Sequence, residues 1–185
     1  MVVITISGPH GAGKSTIAKA LAKHFGFRYL SAGEVFRKMA REYGMNIIEF
    51  TEYVSKHPEI DFEIDRRTIE EARKGNIVID AQLGFVFSKH PDTINILVIA
   101  SKEDRVKRVM EREGVSYEEA LRDVEIRDAN EKERFKKLYN VELWNIYDFH
   151  VILNTSKLSK EESIKIAIEI CKVLIQSMKE GEKNG

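Results

Sequence analysis

The feature that most constrains this chain is a glycine-rich segment, residues 8–15, whose sequence GPHGAGKS fits the pattern G-x-x-x-x-G-K-S/T. A strand-like apolar run, residues 2–6, leads into this segment, and a helical pattern follows it from Ile17. In a strand, turn and helix of this kind, successive backbone N–H groups and the positive end of the helix converge on one anion. The sequence therefore predicts a phosphate-binding loop and, with it, an α/β fold.

Each position of this loop has an expected part in holding a nucleoside triphosphate. Lys14 is expected to reach the β- and γ-phosphates and to act in catalysis, and the Ser15 hydroxyl is expected to ligate Mg²⁺. His10 occupies a variable position, so its side chain is expected to point away from the phosphates. The residues predicted to bind ATP are Gly8, Pro9, His10, Gly11, Ala12, Gly13, Lys14, Ser15 and Thr16.

Five strand-like runs alternate with helical patterns along the 185 residues, which predicts one three-layer domain with a five-stranded parallel sheet. The expected strands are residues 2–6, 27–30, 77–81, 94–100 and 149–153. Asn46, Ser116 and Ser159 are each followed three positions later by glutamate, which predicts three capped helix starts, and another helix is expected between Pro58 and Gly75.

Two segments between the strands are longer than a single crossover needs. Residues 34–75 are expected to form an inserted substrate-binding cap, and residues 105–140 a lid region. The expected core is then residues 1–33, 76–104 and 141–178, and residues 179–185 are expected to fray as a polar tail.

The charge of the chain excludes some classes of partner. Thirty basic and thirty acidic residues cancel, which argues against general binding to nucleic acids or to anionic membranes. The longest apolar stretches are only of strand length. We expect a cytoplasmic monomer with no membrane or nucleic-acid partner.

A phosphate-binding loop does not by itself indicate which reaction is catalysed, so the reaction has to be inferred from the other motifs of the chain. The chain has no Asn-Lys-x-Asp guanine signature. The second strand, however, runs into Ser31, Gly33 and Arg37, which would stand at the carboxyl edge of the sheet, with Arg37 able to grip a phosphate in two-point fashion. The sequence thus predicts an acceptor site that faces the donor site.

With these residues the chain resembles the nucleoside monophosphate kinases, and most closely the archaeal type of cytidylate kinase. The resemblance covers nearly the whole length and rests on residues 31–37, 44–50, 58–61, 65–67, 77–80, 147–148 and 154–156. It implies a single kinase domain of the P-loop NTPase fold. It also implies phosphoryl transfer from ATP to CMP or dCMP, with Mg²⁺ required and UMP sometimes accepted.

The helix expected after Pro58 carries Asp61 and Asp65 on one face, because they are four positions apart. An exposed carboxylate there could accept a hydrogen bond from the 4-amino group of cytosine. The alternative is an ordinary solvated helix in which Glu63 and Arg67 form an ion pair. The resemblance adds Arg66 to the candidate acceptor-binding residues.

Two residues after the third strand bear on the site. Asp80 is expected to hold a water bound to Mg²⁺, and the alternative is a strand-end aspartate that caps the next turn. Gln82 stands where the related cytidylate kinases usually have arginine. A glutamine can hydrogen-bond a phosphate or a base but brings no charge, so we count Gln82 among the acceptor-binding residues and expect Gln82→Arg to strengthen acceptor binding if a phosphate contact was lost.

The region from 101 to 140 is rich in basic residues interleaved with acids, and most of these basic residues are expected to form ion pairs on helix surfaces. Residues 127–134 resemble the lid of these kinases, so Arg127 and Arg134 are the candidate catalytic arginines. The acceptor phosphate is already a nucleophile, so catalysis needs charge screening and alignment and no general base.

Other functions stay open at this point. The same chemistry could serve AMP, UMP or a small-molecule alcohol, and Gln82 favours a different acceptor. A different class is a non-catalytic module in which ATP binding regulates a partner, against which the balanced charge and the lid argue.

Overall fold

The structure is a computed structural model that describes residues 1–87 and 92–181. Five parallel strands form one sheet in the order β2-β3-β1-β4-β5. The strands are β1 Val3–Ser7, β2 Arg28–Ser31, β3 Ile77–Asp80, β4 Thr93–Ile99 and β5 Val151–Asn154. The predicted sheet is therefore confirmed, and the strand ends differ from the predicted ones by no more than two residues.

Helices connect the strands and cover both faces of the sheet. They are α1 Lys14–Phe25, α2 Ala32–Glu42, α3 Ile47–Lys56, α4 Pro58–Arg73, α5 Gly84–Phe87, α6 Lys102–Glu113, α7 Tyr117–Tyr139 and α8 Lys160–Gly181, with a 3₁₀ turn at Ile146–Asp148. On one face, α1 and α8 bury Ile17, Leu21 and Cys171 against β1, β3 and β4. On the other face Ala72 of α4 packs on Ile77 and Ile79.

The predicted helix caps are present. The side chains of Asn46, Ser116 and Ser159 each accept a hydrogen bond from the backbone N–H three residues later, and the glutamate carboxylate there accepts one from the backbone N–H of the capping residue. The predicted end of the last helix was wrong: α8 continues past Met178 to Gly181, because lysine and glutamate sustain a helix without packing. Residues 182–185 of the predicted tail lie outside the described residues.

The two long segments bury side chains of their own. Helices α2, α3 and α4 enclose a small core around Phe50, Val54 and Ile64. Helices α6 and α7 form a second one around Val106 and Val124. Within the described residues, no helix combines the length and the apolar character needed to cross a bilayer.

Candidate active site

The glycine-rich loop joins β1 to α1 at the carboxyl edge of the sheet. Gly8 has a φ of 142°, and a Cβ there would collide with the backbone carbonyl of Val98 in β4. Gly13 lies in the left-handed region with a φ of 98° and begins α1. Glycine is the residue that adopts both conformations without strain. The form of the phosphate-binding loop therefore follows from the backbone conformations at these two positions.

Lys14, at the start of α1, lies in the electrostatic field of three carboxylates. Its ammonium donates a hydrogen bond to the Pro9 carbonyl at 3.0 Å. Burial lowers the pKa of Lys14, and Glu131 opposes this shift most strongly, followed by Asp80 and Asp128. The ammonium of Lys14 therefore lies against the loop backbone, and carboxylates of β3 and α7 favour its charged form.

Asp80 and Ser15 carry oxygen atoms that suit a hard cation. Asp80 is buried at the end of β3, where its carboxylate accepts a hydrogen bond from the Tyr29 hydroxyl at 3.2 Å. Ser15 is exposed in the first turn of α1. A hydroxyl and one carboxylate fit Mg²⁺, which accepts few protein ligands beside phosphates and waters. The predicted Mg²⁺ site remains a prediction.

Two arginines of α6 form hydrogen bonds with the glycine-rich loop, and one of them also pairs with α7. Arg105 is buried, donates to the His10 carbonyl at 3.0 Å and forms an ion pair with Asp128 of α7 at 2.8 Å. Arg108 donates to the carbonyls of Ala12 and Thr155, at 3.3 and 2.8 Å. These two arginines differ from the surface ion pairs expected for most of this region, because charge spacing along a helix does not reveal which face lies on the loop.

His10 lies against helices α6 and α7. Its Nε2 is 3.2 Å from the Arg112 guanidinium and 3.4 Å from the Asp123 carboxylate. Burial, then Arg127 and Arg112, lower the pKa of His10 to about 3, so the ring is neutral and its Nε2 accepts from Arg112. Arg127, an expected catalytic residue, is half-exposed and pairs with Asp123 at 2.9 Å.

The predicted acceptor residues at the end of β2 lie together. The Ser31 hydroxyl caps α2 by accepting from the Glu34 N–H at 3.3 Å. Arg37 folds back over Gly33, where a Cβ would touch its guanidinium. Within the described part of the chain, no carboxylate pairs with Arg37. A groove of about 520 Å³ runs beside these residues and includes Lys38.

Asp61 and Asp65 share one face of α4, as predicted, but this face meets the lid. Asp61 is 3.5 Å from the Arg134 guanidinium, and the Tyr139 hydroxyl donates to Asp65. Burial raises the pKa of both carboxyl groups, that of Asp65 to about 6. The expectation of an exposed carboxylate was wrong for Asp61, since the lid helix covers it.

Arg66 and Arg134 differ in where their guanidinium groups point. Arg66 is turned to solvent on the outer side of α4, where it pairs with Glu63 at 2.9 Å and with Glu70 at 2.5 Å. Its predicted place beside the acceptor stays a prediction, and these ion pairs turn it away from the face of Asp61 and Asp65, because a step of one residue rotates a helical side chain by about 100°. The Nε of Arg134 is buried, and no described residue accepts its hydrogen bond. Arg134 thus has one buried N–H group, at Nε, that is available to a ligand.

Gln82 contacts the donor loop rather than the end of β2. Its Oε1 accepts from the Gly8 N–H at 3.3 Å and from the Trp144 indole at 3.2 Å, and its Nε2 donates to Glu131 at 2.6 Å. Sequence reasoning missed both Glu131 and Trp144. Of these two residues, Trp144 offered one weak sequence signal of a special role, because it is the single tryptophan of the chain.

Comparisons with known proteins agree with this arrangement. A model of the cytidylate kinase-like family matches residues 3–157. The chain belongs to this family. It is 45% identical over 166 residues to a cytidylate kinase of Ignicoccus hospitalis, which covers 89% of this chain and 96% of that one.

Another relative and a solved structure extend the likeness. The chain is 40% identical over 169 residues to a cytidylate kinase of Staphylothermus marinus, covering 91% of this chain and 96% of that one. Among solved structures, a shikimate kinase from Acinetobacter baumannii superposes with a TM-score of 0.57 at 19% identity, covering 96% and 94% of the two chains. The P-loop kinase fold and the resemblance to cytidylate kinases are thereby confirmed.

Proposed function

We propose that this protein transfers the γ-phosphoryl group of ATP to CMP or dCMP. The observation that carries the proposal is the set of three groups that the fold presents: Lys14 of the loop, Arg37 folded over Gly33 after β2, and Asp61 of α4 beside Arg134 of α7. These supply a donor-phosphate cation, an acceptor-phosphate cation and a base-reading carboxylate. The kinship to proteins named cytidylate kinase supports the choice of acceptor.

The reaction requires the groups of the cleft to hold charge and alignment. An oxygen of the acceptor phosphate forms a bond to the γ-phosphorus while the bond from that phosphorus to the ADP oxygen breaks, so no proton has to be removed first. Lys14 screens the oxygens of the donor, and Arg127 and Arg134 approach from the lid. When bound with ATP, Mg²⁺ would be held by the Ser15 hydroxyl and, through water, by Asp80, and would neutralise phosphate charge.

Base selection in this proposal belongs to α4. The Asp61 carboxylate has a weak contact to Arg134 at 3.5 Å and is 7% exposed, so a base that offers it an N–H donor recovers a buried interaction. Cytosine offers its 4-amino group, whereas uracil presents a carbonyl oxygen at the same place. The mismatch leaves a buried acceptor unsatisfied, which costs about 1–3 kcal/mol.

An ADP-release assay at fixed MgATP tests the proposal. CMP, dCMP, UMP, AMP and a small-molecule alcohol would be compared with the background ATPase rate. Strong stimulation by CMP and dCMP is the expected result. Greater stimulation by another compound would replace the acceptor, and no stimulation by any of them would overturn the kinase assignment and favour an ATP-binding regulatory module.

A further inference from the structure

Helix α6 packs directly on one side of the glycine-rich loop. Gly11 has a φ of 80°, and a Cβ there would lie only 2.8 Å from the backbone carbonyl of Arg105. Gly13 also lies in the left-handed region, with a φ of 98°. Left-handed residues in a turn bring successive N–H groups to one side of the backbone, where they can surround an anion. Carbonyl groups are then left on the other side of the loop, which is the side that α6 covers.

Arg105 holds the first of these carbonyl groups. Its side chain is buried, and its guanidinium donates a hydrogen bond to the His10 carbonyl at 3.0 Å. A trans peptide is planar, so its C=O and N–H bonds point in opposite directions. The hydrogen bond to Arg105 therefore turns the N–H group of Gly11 away from α6 and toward the inner side of the loop.

Thr155, directly after β5, holds the second carbonyl group. Its buried hydroxyl lies 3.0 Å from the Ala12 carbonyl and 3.2 Å from that of Ile99, and it donates to both. Arg108 donates to the same Ala12 carbonyl at 3.3 Å and to the Thr155 hydroxyl at 2.9 Å. Because the Ala12 carbonyl is held on this side by two donors, the N–H group of Gly13 turns inward as well.

The lid helix takes part in this arrangement through Asp128. Both of its carboxylate oxygens accept from the Arg105 guanidinium, at 3.1 and 2.8 Å. A two-point ion pair of this kind fixes the direction of the guanidinium as well as supplying charge. The place of α7 therefore helps to determine where Arg105 directs the donor that the His10 carbonyl accepts.

We propose that Arg105 and Thr155 are positioning residues that preorganise the loop for polyphosphate. By holding two carbonyl groups outward, they aim the N–H groups of Gly11 and Gly13 at the donor phosphates. An N–H group that already faces the anion forms its hydrogen bond without a rotation of the peptide, and this strengthens binding. Asp128 acts one step further away, by orienting Arg105. The inference rests on the proposed function only in that the loop binds a polyphosphate.

The binding of inorganic tripolyphosphate, measured by calorimetry, tests the role of Thr155. Thr155→Val removes the hydroxyl with little change of shape and none of charge, so we expect about fivefold to tenfold weaker binding. Thr155→Ser keeps the hydroxyl and should stay within about twofold of the original chain. Unchanged affinity in Thr155→Val would overturn the proposal for Thr155, and so would an equal loss in both variants, which would assign the effect to the lost methyl group.

Asp128→Asn separates positioning from the general electrostatic field. Removal of a negative charge near the loop should by itself strengthen the binding of a polyanion. The amide also breaks the two-point pair with Arg105, so the proposal predicts the opposite sign, about threefold weaker binding. Glu125→Gln is the matched control, because Glu125 is exposed on the same helix and pairs with Lys102, and its affinity should change by less than about twofold. Tighter or unchanged binding by Asp128→Asn would overturn the link from the lid helix to the loop.

Arg105→Lys tests the first carbonyl directly. The lysine keeps the positive charge but has no fork that can reach the His10 carbonyl and both oxygens of Asp128, so we expect about tenfold weaker binding of tripolyphosphate. Unchanged affinity would overturn the proposal for Arg105. If Arg105→Lys does not fold, as far-ultraviolet circular dichroism would show, Asp128→Asn carries the test of Arg105.

The outcomes of these measurements and of the acceptor assay are distinguishable. Tripolyphosphate carries neither base nor sugar, so a chain that prefers another acceptor would still bind it through the loop. A chain that phosphorylates CMP, but whose Thr155→Val and Asp128→Asn variants bind tripolyphosphate as the original does, would keep the proposed function and overturn this inference alone.

Discussion

The proposed donor side and the proposed acceptor side of the site are built in different ways. The donor loop is one continuous stretch, residues 8–16, in which glycine conformations shape the backbone. The acceptor side is assembled from side chains far apart in sequence: Asp61 meets Arg134, and Asp65 meets Tyr139. A local site is robust to changes elsewhere, whereas an assembled site depends on the lid and the insert being in register.

The largest expected effect tests the donor side. Lys14→Met removes the ammonium that faces the phosphates, and loss of one such group lowers kcat by about 10²–10³-fold. Lys19→Met, on the exposed side of the same helix, is the control and should keep nearly full activity. Steady-state ADP release measures both. A near-normal kcat in Lys14→Met would show that the loop is not the donor site. The comparison of a donor side with an acceptor side would then no longer hold.

The acceptor side is tested by Asp61→Asn. The amide can still contact a base, but it no longer offers a charged acceptor on both oxygens, so discrimination of CMP from UMP in kcat/KM should fall by roughly tenfold, or about 1.4 kcal/mol. Arg66→Met changes the solvent side of the same helix and should leave both substrates unaffected. If Asp61→Asn keeps the full preference for CMP, base reading lies elsewhere in the cleft.

Asp65 provides a test through stability rather than activity. Its pKa of about 6 in the folded protein lies above that of an unfolded aspartate, so between about pH 4 and 6 only the folded state keeps the proton. This contribution is complete below pH 4 and is lost as the pH rises through 6. Above pH 6, Asp65→Asn should therefore be the more stable form by up to about 2 kcal/mol in denaturant unfolding.

The difference in unfolding free energy between the native protein and Asp65→Asn isolates the contribution of Asp65 from those of other titrating groups. It should shrink toward zero as the pH falls to about 4, where the native aspartic acid is protonated and resembles asparagine. A constant difference over this pH range would mean that Asp65 is ionised in the folded protein.

The last test concerns Gln82, which contacts both the loop and α7. An arginine there has only donors, so the Gly8 N–H and the Trp144 indole would both lose their acceptor. We expect Gln82→Arg to unfold at lower denaturant, by about 1–2 kcal/mol, and to gain no affinity for CMP. Gln82→Glu keeps an acceptor oxygen and separates loss of the acceptor from change of charge. A lower KM for CMP in Gln82→Arg would restore the interpretation of a lost phosphate contact.

Much of the fold was readable from the sequence. The apolar runs gave all five strands, and the pairs Ser116–Glu119 and Ser159–Glu162 gave two helix starts, because strand alternation and capping are local properties. The donor loop was readable for the same reason. The exposure of Asp61 was misjudged and the burial of Arg105 was not foreseen, since each depends on what packs against it from another segment.

By itself the sequence determined the parts whose chemistry is local: a phosphate loop forced by Gly8 and Gly13, a parallel sheet, and the helices that follow it. The tertiary structure alone decided that Gln82 contacts both the loop and α7, that its partner on α7 is Glu131, and that Arg66 faces solvent. The physical reason is range. Backbone conformation is fixed by neighbours within a few residues, whereas burial, charge and hydrogen-bond partners are set by segments that folding brings together from distant positions.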